Sequence, residues 1–320
     1  MIKLFNQNGI LQMIVIAIVS IVLWGRSFLA PQAMMPDNSF APLYTILYEW
    51  LQPLPLVATI IAYVLVVLEG VYLNMVLIRN KMVPFNSLMP ILIYIVSMSF
   101  NQHPLTLTPF ILAAPCVITV LNQLLILDKM NISNDNILNA AFFSALATLL
   151  CLPCIVLLLF VIVGLMVHSQ YRWRCWLMVL IGYIAPLLVA ATYYFLTDRL
   201  YYISYITFND ILNPSLLIER STGLTAFDNV MFITFLVLSG LMTFSRIREH
   251  SVVFRRNAEI ILILLIVLAV SLCYTRIMPF DAAVGAIPFA FLASNCLLTA
   301  RKRLWILETL LIIFIIFAII

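Results

Sequence analysis

Apolar runs long enough to cross a lipid bilayer follow one another along almost all of this 320-residue chain. A hydrocarbon core of about 30 Å needs roughly 20 residues of apolar helix. Of the residues, 65% are hydrophobic and 9% are charged, whereas soluble domains carry about 25% charged residues. So much apolar surface must face lipid or other membrane helices. The sequence therefore predicts an all-α fold, a polytopic transmembrane helical bundle forming a single domain over residues 1–320.

The apolar runs give about eleven predicted membrane segments, each close to the length that a bilayer requires. They lie near residues 10–29, 55–78, 86–100, 108–127, 137–150, 153–167, 174–195, 227–245, 258–277, 279–299 and 304–320. Between them, the longest polar stretches are 30–53 and 196–228. The first of these contains a short aromatic run, Leu43–Leu51, that suits a helix lying in the membrane interface. Bulky Trp24 and Arg26 fit a signal-cleavage region poorly, so we expect the first segment to be an uncleaved span.

The apolar stretch near 137–167 is interrupted at Leu152-Pro153 and crosses either once, as a kinked span, or twice, as a short hairpin. The positive-inside rule separates the two, since Lys and Arg gather on the cytoplasmic side. Two crossings place 13 of the 17 Lys and Arg residues inside, whereas one crossing places only 7 there. We therefore predict a hairpin, with the N-terminus in the cytoplasm and the C-terminus outside. Both long loops then lie at the outer face.

One acidic residue, Glu69, lies inside the second predicted span, with Asn74 about a turn further on. A carboxylate in hydrocarbon costs about 3 kcal/mol by insertion scales, so it should face a cavity or a partner, or carry a proton. Glu69 is either part of a substrate or proton path or a structural hydrogen bond to Asn74 or a neighbouring tyrosine. Both interpretations stay open on the sequence.

The predicted outer face carries the other candidate site residues. Asp37 precedes the interfacial run, and a carboxylate there can act as a general base towards an acceptor hydroxyl. Its Pro-Asp-Asn-Ser setting is equally ordinary turn and cap chemistry. Arg276 ends the ninth span, where arginine would bind a phosphate or pair with Asp281, and Arg26 is a weaker case of the same kind. His103 completes the candidate substrate-binding residues.

No metal site and no cofactor are predicted, although the use of a divalent metal stays open. The three histidines, His103, His168 and His250, lie far apart and lack the spacing of metal ligands. Cys151-Leu-Pro-Cys154 has dithiol spacing, but the remaining cysteines occur singly, which favours small buried hydrophobes over thiol chemistry. The chain has only 8 glycines and no phosphate-cradling motif, which excludes a nucleotide-driven pump. It has no basic stripe, which argues against nucleic acid.

The chain resembles an uncharacterised family of integral membrane proteins from Bacteroidota over nearly its full length. The resemblance rests on Met1–Gln7, Ala41–Tyr44, Leu73-Asn74, Pro84–Pro90, and Ile137–Phe142 leading to Leu152-Pro153. That family supplies no activity.

The architecture is also similar to membrane glycosyltransferases that use polyprenyl-phosphate sugars, the C-type fold. Those proteins have an N-in first span, an acidic first outer loop beside an interfacial helix, and short, proline-broken middle spans. A late Arg…Pro span follows, as in Arg276-Ile-Met-Pro279 here. The resemblance implies that Asp37 is the catalytic base and that Arg276 holds the donor phosphate. This chain lacks the usual paired acids directly after the first span and a large outer domain.

The sequence thus favours a bacterial inner-membrane protein of cell-envelope glycan or lipid biogenesis, resembling a polyprenyl-phosphate-sugar glycosyltransferase. Its expected partners are membrane lipids, including polyprenyl phosphate or its sugar. Arg26 would assist in phosphate binding and Glu69 would support the cavity. Whether the protein is an enzyme stays open. One alternative is a transporter or lipid flippase that uses Glu69, and another is a non-catalytic membrane subunit of an envelope or secretion complex.

Overall fold

The structure is a computed structural model, and all the regular secondary structure that it describes is helical. It describes residues 9–31, 34, 41–83, 87–99, 105–127, 134–169, 172–199, 223–246, 251–275, 282–299, 309, 311–315 and 318, without the side chains of 223–231, 245–246, 270–275, 282–284 and 299. The predicted all-α bundle is confirmed over these residues.

Between residues 9 and 299 the described residues form eleven α-helices and one 3-10 turn. The helices are α1 (Gly9–Leu29), α2 (Pro42–Leu51), α3 (Pro55–Arg79), α4 (Met89–Ser99), α5 (Pro109–Ile126), α6 (Asn134–Leu150), α7 (Leu157–Val167), α8 (Trp173–Leu196), α9 (Gly223–Arg246), α10 (Val252–Thr275) and α11 (Ala282–Thr299), and the 3-10 turn, Leu152–Val156, separates α6 from α7. Each predicted membrane segment up to residue 299 corresponds to a helix, with ends shifted by a few residues. Most of the segment near 304–320 lies outside the described residues.

Four of the described helices, α1, α3, α5 and α8, are long and apolar enough by length and composition to cross a membrane. In the most apolar 18-residue stretch of α1, and likewise of α8, only 22% is buried inside the bundle. These two helices therefore form the periphery of the bundle. Their outward side chains are large and apolar, for example Ile18 and Leu188. Such faces lie in lipid, because exposing a contiguous apolar surface of this size to water would be unfavourable. The protein is an integral membrane protein.

Contacts at the two ends of the bundle show how the first helices alternate in direction. Trp24 Nε1, near the end of α1, donates to Ser99 Oγ at the end of α4, at 3.2 Å. At the opposite end, the backbone N–H of Leu88, just before α4, donates to Gln12 Oε1 near the start of α1, at 3.0 Å. Helices α1 and α4 therefore run the same way, as expected for spans separated by one antiparallel neighbour. We call the end that holds Trp24 and Ser99 the α2 end.

Helix α4 forms the centre of the bundle, since all of its residues are buried. Its 11 residues span about 16 Å at 1.5 Å per residue, which is well short of a bilayer. Neighbours on all sides, among them α1, α3 and α11, shield it from lipid. The same core includes an aromatic group around Phe289 of α11, whose ring packs against Phe232, Phe235 and Phe314.

The predicted interruption at Leu152-Pro153 is the 3-10 turn, and it reverses the chain direction. Gly164 of α7 lies against Leu124 near the end of α5, while Cys154 lies within electrostatic range of Cys116, nearer the start of α5. Helix α7 therefore runs beside α5 in the same direction. Helix α6 has to run the opposite way, because few residues separate it from the end of α5. Helices α6 and α7 are therefore arranged as the predicted hairpin requires. In the turn between them Cys151 and Cys154 are buried, whereas Ile155 is 39% exposed.

Candidate functional site around Glu69

Glu69 lies on the buried face of α3 and is only 2% exposed. The hydroxyl of Tyr94, in the central helix α4, donates a hydrogen bond of 2.8 Å to its Oε2. Tyr94 itself is fully buried. Of the two structural partners that the sequence leaves open, the structure therefore selects a tyrosine rather than Asn74.

Gly70 allows the approach that this hydrogen bond requires. A Cβ added there would lie 3.3 Å from Ile91 Cγ2 and 3.3 Å from Tyr94 Cδ1. Small residues let membrane helices approach closely enough for side chains to bond across them. The Glu69-Gly70 dipeptide thus combines a polar side chain with the space needed by its partner on α4.

The second carboxylate oxygen of Glu69, Oε1, is buried and has no hydrogen-bond partner among the described residues. No ion pair involving Glu69 occurs in that part of the chain either. Asn74, 4% exposed, presents a similar case, since its Oδ1 is buried without a described partner. The two residues are five apart, which on an α-helix directs their side chains to different sides. They are two separate unsatisfied groups on α3.

A line of polar side chains continues from Glu69 across the bundle. Cys116 of α5 lies within electrostatic range of both Glu69 and Cys154. Cys154 in turn lies within such range of Tyr183 on α8, and the Tyr183 hydroxyl is 3.2 Å from Thr148 Oγ1 on α6. Polar side chains of α3, α5, the 3-10 turn, α8 and α6 therefore lie in one region of an otherwise apolar interior.

Helix α2 is fixed to the α2 end of the bundle and directly follows the segment that carries Asp37. Pro42 starts the helix, in the position where its missing N–H costs nothing. The Tyr194 hydroxyl at the end of α8 donates to the Pro42 carbonyl at 2.5 Å. Tyr44, 1% exposed, donates to the Leu107 carbonyl at 3.4 Å. The opposite side of α2 exposes Trp50 at 79%.

The predicted outer-face residues are only partly covered by the structure. Asp37, Arg276 and His103 lie outside the described residues. Arg26 is exposed in the last turn of α1, at the α2 end. The structure therefore places Arg26 at the same end as α2, and it leaves the predicted meeting of Asp37 with Arg276 as a prediction.

Sequence reasoning did not single out Tyr94, which bonds to Glu69, or Cys116, which lies within electrostatic range of it. Both stand in apolar spans and resemble ordinary packing residues there. Only knowledge of which helices are neighbours identifies them. Among the described residues, no group of three or more His, Cys, Asp or Glu side chains is arranged to hold a metal ion.

Comparisons with protein-family models, with curated proteins and with solved structures found no match.

Proposed function

We propose that this protein is an inner-membrane glycosyltransferase of cell-envelope glycan or lipid biogenesis that uses a polyprenyl-phosphate sugar at the outer membrane face. The observation that carries the proposal is the fixed position of α2. A short helix with an exposed Trp50 is held against one end of the bundle by Tyr44 and Tyr194. An amphipathic helix of this kind lies at headgroup depth, where the phosphate of a polyprenyl donor also lies.

The chemistry follows from the residues in and next to this region. Asp37, four residues before Ala41, would accept the proton of an acceptor hydroxyl as its oxygen attacks the anomeric carbon of the sugar. The bond from that carbon to the phosphate oxygen breaks, and polyprenyl phosphate leaves. Arg276, assisted by Arg26, would bind the phosphate through charge-assisted hydrogen bonds. His103 would contact substrate.

The positions of Asp37 and His103 along the chain support placing both of them near α2. The segment containing Asp37 lies between Met34, 2% exposed, and Ala41, which is fully buried. Tyr44 then bonds to the carbonyl of Leu107, in the segment that follows His103. The described residues that flank Asp37 and His103 in the sequence thus belong to the α2 end of the bundle.

Binding of polyprenyl phosphate, measured by thermal shift on purified protein, tests the proposal. We expect the lipid to stabilise the wild type and Asp37→Asn, and we expect Arg276→Ala to lose most of that stabilisation. Arg199→Ala is the matched control, since it removes an exposed arginine at the same end whose partner is Glu49 at 3.6 Å. Magnesium and chelator arms test the use of a divalent metal. The absence of stabilisation by any polyprenyl lipid would overturn the proposal.

Two alternatives retain support of their own. A transporter or flippase is favoured by the half-satisfied carboxylate of Glu69 within the bundle. A non-catalytic subunit is compatible with the largely exposed apolar faces of α1 and α8, which a membrane partner could cover. Transfer of sugar from a polyprenyl-phosphate donor by the purified protein, lost in Asp37→Asn, separates the glycosyltransferase from both.

A further inference from the structure

We propose that Glu69 binds a small monovalent cation, a proton or an alkali-metal ion, through its free oxygen, at an intramembrane site separate from the outer face. This site goes beyond the proposed transferase activity and does not depend on it. Its basis is the asymmetry of the carboxylate: Tyr94 holds Oε2 at 2.8 Å, and Oε1 is buried without a hydrogen-bond partner in the described part of the chain.

A purely structural role would leave the carboxylate differently arranged. Buried polar atoms in proteins are nearly always hydrogen-bonded, and a structural carboxyl would have both oxygens satisfied. Here one oxygen is satisfied by a fully buried tyrosine and the other is not. The geometry fixes the carboxyl group in place and leaves one acceptor open for a ligand.

Charge defines the class of ligand. An ionised carboxylate in a low-dielectric interior is costly unless a positive charge accompanies it. The titratable groups facing Glu69 from neighbouring elements are Tyr94 on α4 and Cys116 on α5, with Cys154 beyond them. All three side chains are uncharged hydrogen-bond donors. No Lys, Arg or His forms an ion pair with Glu69 in the described segments, and a bound cation would supply the compensating charge.

Depth restricts the size of that cation. Glu69 lies 14 residues after the start of α3 and 10 residues before its end, or about 21 Å and 15 Å along the axis at 1.5 Å per residue. It is therefore near the middle of a full-length span. The Tyr94 ring and Ile91 pack directly against the adjacent Gly70. Such a close-packed surrounding suits a proton or a bare alkali ion and has little room for a larger organic cation.

A hydrophobic carbodiimide, dicyclohexylcarbodiimide, tests the site on the full-length protein in lipid vesicles. It reacts with a protonated carboxyl group: the O–H adds across a C=N bond, the oxygen bonds to carbon and the proton moves to nitrogen. In buffer free of alkali cations, we expect Glu69 to be modified, as read by mass spectrometry of the peptide. Glu69→Gln should remove that modification.

The arms of the experiment distinguish the two cations. Loss of modification on raising the pH, with no effect of sodium or lithium, identifies a proton. Protection by sodium or lithium chloride, compared with choline chloride at fixed pH, identifies an alkali ion. Modification that responds to neither, or no modification of Glu69 at any pH in cation-free buffer, overturns the proposal.

Tyr94→Phe tests whether Tyr94 positions the carboxyl group. Removal of its hydroxyl frees the second oxygen, so we expect a shift in the pH or the cation concentration that gives half-maximal protection. A tyrosine that only packs would leave this midpoint unchanged. Tyr72→Phe is the matched control, because the Tyr72 hydroxyl bonds to Thr119 instead.

Discussion

The backbone of Gly182 in α8 lies directly against the carbonyl oxygen of Leu138 in α6. A Cβ added at Gly182 would lie 2.8 Å from that oxygen and 2.9 Å from the Cβ of Ala141. Real Cβ atoms essentially never show contacts under 3.0 Å. Only glycine therefore permits α6 and α8 to pack at this distance, by the small-residue packing common among membrane helices.

We expect Gly182→Ala to destabilise the bundle by about 1–3 kcal/mol, because the methyl group meets backbone that cannot move cheaply. Thermal unfolding in detergent measures the effect as a lower midpoint. Gly25→Ala is the matched control, since nothing lies within 4 Å of its added Cβ, and alanine is favoured over glycine in a helix by about 1 kcal/mol or less. Equal midpoints for the two variants would show that the close contact has no energetic consequence.

The sequence predicts the helices well because their information is local. Runs of apolar residues define α3 nearly to the residue, and Leu152-Pro153 marks the interruption between α6 and α7. Proline there kinks or breaks a helix, and the distribution of Lys and Arg then distinguishes a hairpin from a kinked span. The sequence also predicts that Glu69 is buried in a span and requires a partner.

Pairing between helices is what the sequence leaves undetermined. Tyr94 and Glu69 are 25 residues apart, and no local pattern states which face of α4 meets α3. Burial of Cys151 and Cys154 is expected for small buried hydrophobes, but the sequence does not show which helices cover them. Contact of Gly182 with Leu138 likewise depends on the register of two helices, which single-chain periodicity does not encode.

Tyr94→Phe should destabilise the protein, because it leaves the buried Glu69 carboxyl group without its hydrogen-bond donor. Loss of a hydrogen bond to such a group costs about 1–3 kcal/mol. We expect Tyr72→Phe to cost less, about 0.6 kcal/mol as for an average hydrogen bond between membrane helices. Thr119 keeps its own hydrogen bond to the Pro115 carbonyl in that control. Chemical unfolding in mixed micelles compares the two, and an equal or smaller loss for Tyr94→Phe would contradict the pairing.

Tyr194→Phe should loosen α2 without unfolding the bundle. The Tyr194 hydroxyl donates to the Pro42 carbonyl, and α8 keeps its packing on α6 when that hydroxyl is lost. Hydrogen exchange of the α2 backbone amides should accelerate, while exchange in α4 stays unchanged. Tyr193→Phe is the control, since its side chain is 49% exposed.

Arg199→Ala should have little effect on stability, because the side chains of Arg199 and of its ion-pair partner Glu49 are each 64% exposed and such pairs contribute little.

The predicted orientation places the α2 end at the outer face of the membrane, and two single cysteine variants test it. Gln52→Cys lies just after α2 and Ser169→Cys lies between α7 and α8, and both positions are exposed. The distribution of Lys and Arg predicts that Gln52 is outside and Ser169 inside. A membrane-impermeant maleimide added to intact cells should therefore label Gln52→Cys and label Ser169→Cys only after permeabilisation. Wild type supplies the background, which we expect to be low because four of the described cysteines are buried and Cys116 is only partly exposed. The reverse labelling pattern would show that the topology is inverted and that the α2 end faces the cytoplasm. The proposed transfer from an outer-leaflet donor could not occur there.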